Sequence, residues 1–466
     1  MIPWVVWHLS NIYEQGVKVA LENNGTFLVR GSWFCGSNLF EVVASSPANL
    51  EYILKFDLSN FPKGPSKKYF SDIFGYGLIN SDDELWKRQQ KPTVMAVSSR
   101  KFRDRYLSLV QKSLLQKLLP LLEEVKEENA SVDLQHVLLQ LTMDIILMVI
   151  FGREAGSETF ASAPFDEATE CCIYRLLCPS FIWKVMRFLN VGFEKKLRAA
   201  RAIVEDCVAE MVKVKVKEVE EENELQGDIL STFMRLEREQ RCPPSQHLLQ
   251  GLTTSIFLPG KDTTALAMSW FFWLISMHPY VEEKMVSELS HIWNFEHLSN
   301  GYDIVGAFGW EALRGMNYLQ AALSEYMTLY PPPPLIYKEA AIDNVLPDGT
   351  HVMKGSKLLL FIYGTNRMES LWGKDALEFK PERWITEKGI CMNENDYKYP
   401  VFSAGPRICI GKDVAYVSMK YIVDNILVRY RVKVEAGHQV KPKLGLTLPM
   451  KHGLKVTLQA RNDIIA

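Results

Sequence analysis

The spacing of apolar positions changes character several times along the chain. Between 25 and 56, GTFLVRGSWF and LFEVVASS set β-branched and aromatic residues between Gly and Ser turns, which predicts strands, before PANLEYIL turns helical. From 84 to 220, Leu, Val, Ile and Met recur every three to four positions with few glycines, and the pattern predicts almost unbroken helix. Within it, LLQLTMDIILMVIFG (138–152) is apolar nearly all round but interrupted by Gln140, Thr142 and Asp144, so it reads as a buried helix and not as a membrane span. Between 212 and 225 the chain is densely charged, as expected for a solvated helix end and surface loop. Pro243, Pro244 and the cap-type Ser245 then open a long apolar helix that Pro279 closes. At about 33 residues it would run roughly 50 Å, enough to cross a whole domain. Pro259 and Gly260 fall inside it, and the loss of a backbone donor there predicts a kink or an opened turn. Beyond 335 the pattern shortens to strands (335–362 and 428–460) around a loop-rich segment at 364–410. The fold class expected is mainly α with small β-sheets.

Composition narrows the function. The 466 residues are 47% hydrophobic and 23% charged, which supports a large buried core and excludes disordered or fibrous classes. The formal net charge of −2 gives no bulk footprint for nucleic acid. Eight cysteines, scattered apart from Cys171 and Cys172 and without a CxxC pair, point to a reducing compartment. The first residues, MIPWVVWHLSNIYEQGVKV, hold an apolar run of only about seven, short of the ~20 a membrane span needs, so neither an anchor nor a signal peptide is expected. GxGxxG, HExxH and GxSxG are absent, which disfavours a fused reductase, a zinc hydrolase and a serine hydrolase.

The sharpest local signal is Phe402-Ser403-Ala404-Gly405-Pro406-Arg407-Ile408-Cys409-Ile410-Gly411. Gly405 and Pro406 favour a tight turn, Cys409 follows it, and Gly411 allows a flat ligand or a backbone to come close. A lone cysteine so placed suits a thiolate metal ligand. The ten-residue string matches F-x-x-G-x-R-x-C-x-G at every fixed position, and here the chain resembles the cytochrome P-450 family of haem-thiolate monooxygenases. The likeness runs from about residue 1 to 460, implying one catalytic domain over 1–466. GKDVAYVSMK, GTNRMESLWGKDALEFKPERWI and FPKGPSKKYFSDIFGYGLINSDDELW look like the plant fatty-acid and alkane hydroxylase branch.

The resemblance implies haem b with Cys409 as the axial iron ligand, Arg407 on a haem propionate, and Phe402, Gly405 and Gly411 shaping the cysteine loop. It implies an oxygen-binding motif in Gly260-x-Asp262-Thr263-Thr264, with Asp262 and Thr263 relaying protons. Pro259 replaces the alanine usual there. It implies a propionate contact from Trp86, but the arginine expected four residues on is Gln90; Lys91, next door, would point about 100° away. Glu325 and Arg383 would form the structural ion pair of the family, with Thr328 where a second arginine belongs. Phe70, Phe74, Phe257 and Leu258 are expected in the substrate pocket. The basic run Lys87, Arg88, Lys91, Arg100, Lys101, Arg103 and Arg105 is either a solvated helix face or a docking face for an electron donor.

The activity implied is hydroxylation of a long aliphatic chain by O2, with NADPH electrons from a separate flavoprotein reductase at the endoplasmic reticulum membrane. No nucleic acid and no homo-oligomer are implied. Two other readings follow from the same residues. Gln90, Thr328 and Pro259 motivate a catalytically silent haem- or lipid-binding descendant; a haem-thiolate isomerase or dehydratase is disfavoured by the intact Asp262–Thr263 pair.

Overall fold

The computed structural model describes residues 11–30, 40–152, 162–221, 227–300 and 308–461. The expected strand residues 31–34 and 39, residues 222–225 of the charged stretch and the apolar run at 1–7 lie outside them. Eight helices frame the site: α1 (Asp83–Ser98), α2 (Leu134–Phe151), α3 (Ser162–Leu177), α4 (Ser180–Leu189), α5 (Gly192–Glu221), α6 (Gln246–Met277), α7 (Asn317–Leu329) and α8 (Lys412–Leu427).

Helix α6 is the long helix of the sequence pattern. The Ser245 hydroxyl caps it by accepting the Leu248 N–H at 3.3 Å. Its apolar residues are buried along most of its length, as an all-round apolar helix must be. The expected break does not appear: α6 is continuous through Pro259. Packing holds it, because α2 lies alongside and the Thr142 hydroxyl donates to the Lys261 carbonyl at 2.8 Å. Gly260 makes that approach possible, since a Cβ there would stand 2.5 Å from Ile146 Cδ1. Helix α2 is long and apolar enough to cross a membrane, yet most of it is buried against its neighbours, as a core helix is.

The strands form a four-stranded sheet in the order β1 (Thr26–Arg30), β2 (Phe40–Ala44), β7 (Lys357–Leu360), β4 (Ile336–Glu339). Here β2 runs parallel to β7 and the other pairs are antiparallel. A three-stranded sheet joins β3 (Val132–Asp133), β9 (Lys455–Ala460) and β8 (Tyr430–Val434), and β5 (Asn344–Val345) pairs with β6 (His351–Val352). One apolar cluster extends from Tyr13 to Leu458, so the helices and sheets share a core. The architecture is mainly α with small sheets, as expected.

Candidate active site

Two single turns of 3-10 helix, Pro400–Phe402 and Gly405–Arg407, fold the cysteine segment into a small loop ahead of α8. The Cys409 N–H donates to the Phe402 carbonyl at 2.8 Å and the Ile408 N–H to the Gly405 carbonyl at 3.1 Å, so the loop is closed on itself. Gly405 has φ +65°, and a Cβ on it would lie 2.3 Å from the Leu54 carbonyl oxygen. Only glycine lets this loop rest against the 52–56 turn. Burial raises the Cys409 thiol above its ordinary proton affinity, while the Gly411 N–H and the Lys412 ammonium pull it down. Cys409 is exposed although protein surrounds it, because it opens onto a cavity.

That cavity is about 470 Å³. Cys409 lines it together with Phe402, Arg407 and Gly411. Pro259, Gly260, Thr263 and Thr264 of α6 line it too, as do Trp86, Gln90, Thr93 and Val97 of α1. Both helical sets repeat at three and four, one face of each helix. Leu78, Ile79, Ile256, Met327 and Ile336 give it apolar walls. Lys91 is exposed, a third of a turn away from Gln90, as its position predicts.

The profile of the cytochrome P450 family matches residues 4–458. The chain belongs to the cytochrome P450 family. It is 42% identical to cytochrome P450 86B1 of Arabidopsis thaliana over 99% of this chain and 84% of that protein. It is 33% identical to the alkane hydroxylase MAH1 of Arabidopsis thaliana over 98% and 91%. To cytochrome P450 94B1 of the same plant it is 36% identical over 91% and 82%.

Haem carries two propionates, and the cavity wall of this cytochrome P450 has the charge to meet them. Lys338 is 1% exposed, and its Nζ has no hydrogen-bond partner. Burial, then the nearby Lys63 and Arg407, drive its proton affinity well below a normal lysine. Burial and Arg407 likewise lower Lys63 to about 8. Arg407 donates to the Ser81 carbonyl at 3.0 Å and to Asp82 Oδ1 at 3.2 Å, with its guanidinium 4.5 Å from the Trp86 ring centroid. Asp82 offsets all three basic groups, joined by Asp83 at Arg407, and its carboxylate also accepts the Lys63 and Gly64 N–H groups. A buried surplus of positive charge is costly unless an anion completes it. These residues therefore fit haem: Cys409 would hold the iron, and Lys63, Lys338, Arg407 and Trp86 would meet the propionates. Gln90 lines the same cavity without charge, and the basic Lys63 and Lys338 line it too. Sequence reasoning missed both lysines, and β4, which reads Ile336-Tyr337-Lys338-Glu339, offered no signal that Lys338 is buried.

Glu325, Arg383 and Asp262 lie apart from the cavity wall. Glu325 is buried, accepting the Arg383 Nε–H at 2.8 Å, the Trp384 Nε1–H at 2.8 Å and the Lys380 N–H at 3.0 Å. Arg383 also reaches Asp375 and the Trp372 carbonyl. Burial lifts the proton affinity of Glu325 despite these donors, whereas Arg383 is held more firmly cationic because Glu325 and Asp375 outweigh its desolvation. Thr328 instead donates to the Ser324 carbonyl at 3.1 Å. Thr263 lines the cavity while donating to the Pro259 carbonyl at 2.6 Å. Asp262 is buried just behind it, beside Lys261 at 3.0 Å.

Phe70, Phe74, Phe257 and Leu258 do not line the cavity, contrary to the sequence expectation. On α6 the cavity face is set by Ile256, Pro259, Gly260 and Thr263, and Phe257 and Leu258 point elsewhere. Phe257 packs against Phe165 of α3, centroids 4.9 Å apart, and Phe70 against Phe74. The basic run is largely a solvated helix face, with Lys87, Lys91, Arg100 and Lys101 exposed. Arg88 pairs with Glu237, Lys87 with Glu84 and Arg100 with Asp104, and Arg105 donates to the Gly152 carbonyl.

Proposed function

We propose that this chain is a haem-thiolate monooxygenase that hydroxylates a long aliphatic substrate. The observation that carries the reading is one apolar cavity lined on one side by the Cys409 thiol and on another by Thr263. Bound haem supplies oxygen activation and insertion of one oxygen atom into a C–H bond, driven by two electrons.

The chain's own residues do the rest. Cys409 coordinates as a thiolate, which the Gly411 N–H and Lys412 favour. Lys63, Lys338 and Arg407 fix the cofactor's orientation through its carboxylates. Asp262, held near a proton affinity of about 6 chiefly by burial, takes protons from the surface side, and the Thr263 hydroxyl, on turning from the Pro259 carbonyl, presents one to the cavity. Leu78, Ile79, Ile256 and Met327 hold an aliphatic chain and exclude water. A relative named alkane hydroxylase supports a substrate of this class. Electrons come from NADPH through a separate flavoprotein reductase.

The surface of α4 supports a location at the endoplasmic reticulum membrane. Phe181, Val185, Phe188 and Leu189 are all exposed there, Phe188 by 87%, with Lys184 and Arg187 between them. This is the pattern of a helix lying in a lipid interface. The donors around Glu325 and the cations on the haem wall favour an active enzyme over a silent descendant. The test is absorbance of the reduced protein under carbon monoxide, followed by NADPH-dependent turnover of dodecane and lauric acid with added reductase. A thiolate band with hydroxylated product is expected; a haem protein lacking that band would overturn the proposal.

A further inference from the structure

Asp262 sits at the buried end of a short chain of charges that begins on the surface of a different helix. Lys261 Nζ is 2.8 Å from Asp166 Oδ1 on α3 and 3.0 Å from Asp262 Oδ1 on its own helix. The two contacts are unequal in kind. The lysine donates a well-aligned hydrogen bond to Asp166, whereas its 3.0 Å contact with the buried Asp262 Oδ1 is poorly aligned for one. Because Thr142 pins the Lys261 carbonyl, the backbone at this point is fixed by α2. Side-chain geometry alone then decides how the ammonium is shared between the two acids. One acid faces water and the other does not, since the side chain of Asp166 is 54% exposed and that of Asp262 only 13%.

We propose that Asp166 is a positioning residue for Asp262: by taking the better-aligned hydrogen bond of the shared Lys261 ammonium, it weakens the lysine's hold on Asp262 as a carboxylate. Asp262 thereby stays able to take up and release a proton. The inference rests on the reading of Asp262 as a proton carrier.

The charged groups that reach Asp262 are Lys261 from its own helix and Asp166 from α3; the side chain that α2 contributes here, Thr142, is neutral. Burial pushes the Asp262 carboxyl up, the charge of Lys261 pulls it down, the negative charge of Asp166 pushes it up again, and a weak hydrogen bond from Lys261 lowers it a little, to about 6. An Asp so raised can exchange a proton near neutral pH, as a proton carrier must. Removing the Asp166 charge removes a raising influence and frees Lys261 to bond Asp262 fully. Both changes act in the same direction, toward a permanent carboxylate.

The experiment uses the full-length haem protein carrying Asp166→Asn, with Glu167→Gln as a control at the neighbouring exposed acid and Asp262→Asn to identify the carboxyl band. Infrared titration of the resting protein follows protonation of Asp262 directly, and hydrogen peroxide released per NADPH follows proton delivery during turnover with lauric acid as probe. Asp166→Asn is expected to lower the Asp262 midpoint by about one pH unit, cutting its protonated fraction at pH 7 about tenfold and raising peroxide release. Glu167→Gln should leave both unchanged, and Asp166→Ser should repeat the shift. A midpoint in Asp166→Asn and Asp166→Ser equal to the parent's overturns the proposal. If Asp262→Asn leaves peroxide release unchanged, the proton-carrier reading fails instead, while the titration still decides whether Asp166 governs Asp262.

Discussion

Substituting alanine for Gly405 tests how rigidly the thiolate loop is seated. An added Cβ would lie 2.3 Å from the Leu54 carbonyl oxygen and 3.2 Å from its carbon. Ordinary contact requires the loop to retreat by about 1 Å. Leu54 is 1% exposed and packed in the core, so the neighbouring turn cannot give way. The φ of +65° adds roughly 1 kcal/mol for any residue with a Cβ. Since the loop is closed by the Ile408 and Cys409 hydrogen bonds, its displacement carries Cys409 along. A misplacement of about 1 Å at a reacting centre is worth on the order of 10²-fold in rate. The carbon monoxide spectrum should therefore lose thiolate band relative to total haem, and turnover should fall by about that factor. Unfolding entropy for a chain of this length is about 1 kcal/mol per degree, so the thermal midpoint should drop by only about 1–3 °C. Parent-like thiolate band, rate and midpoint together would show that the loop yields without moving the sulfur.

Glu325→Ala removes the acceptor of three donors; Arg383 keeps Asp375, which places the loss near the lower end of about 3–5 kcal/mol, read as a thermal midpoint about 3 °C lower. Lys338→Met should leave that midpoint unchanged or higher, because the Nζ makes no hydrogen bond, while haem transfers to a scavenger protein about 10- to 100-fold faster. Gln90→Arg should alter haem release little by itself and restore retention in the Lys338→Met protein; a large gain from Gln90→Arg alone would mean that the lysines do not substitute for it. Phe188→Ser should reduce partitioning onto phospholipid vesicles by about tenfold, measured by co-sedimentation, with the carbon monoxide spectrum unchanged.

What could be read from the sequence was local. Ser245 and Pro279 bound α6 by cap and breaker chemistry that needs no partner, and the residues from Phe402 to Gly411 carry their own turn. The phase of α1 placed Trp86 and Gln90 on one face and Lys91 on another for the same reason. The four misplaced pocket residues show the limit. An all-round apolar helix has no hydrophobic face to orient it, so the inward direction of Phe257 and Leu258 is set by α2 and α3 and not by periodicity. The unbroken run through Pro259 has a similar cause, since packing from α2 overrides a local preference. Lys63, Lys338 and Asp82 become a single charged wall only after three separate segments meet, and the link from Lys261 to Asp166 depends on how α3 lies over α6.

The parallel pairing of β2 with β7 joins residues such as Val42 and Leu358, about 300 positions apart. The β3–β9 pair, Val132 with Val456, is equally distant. At ribosomal rates of about 5–20 residues per second, β2 waits roughly 15–60 s before its partner exists. Throughout synthesis, one edge of the N-terminal hairpin remains open to pairing with other chains. The cysteine loop emerges later still, and the turn that receives it, around Leu54, belongs to the part made first. Cofactor capture is thus the closing event of biogenesis, and yield should depend on chaperones and haem supply in the final seconds of translation and just after release.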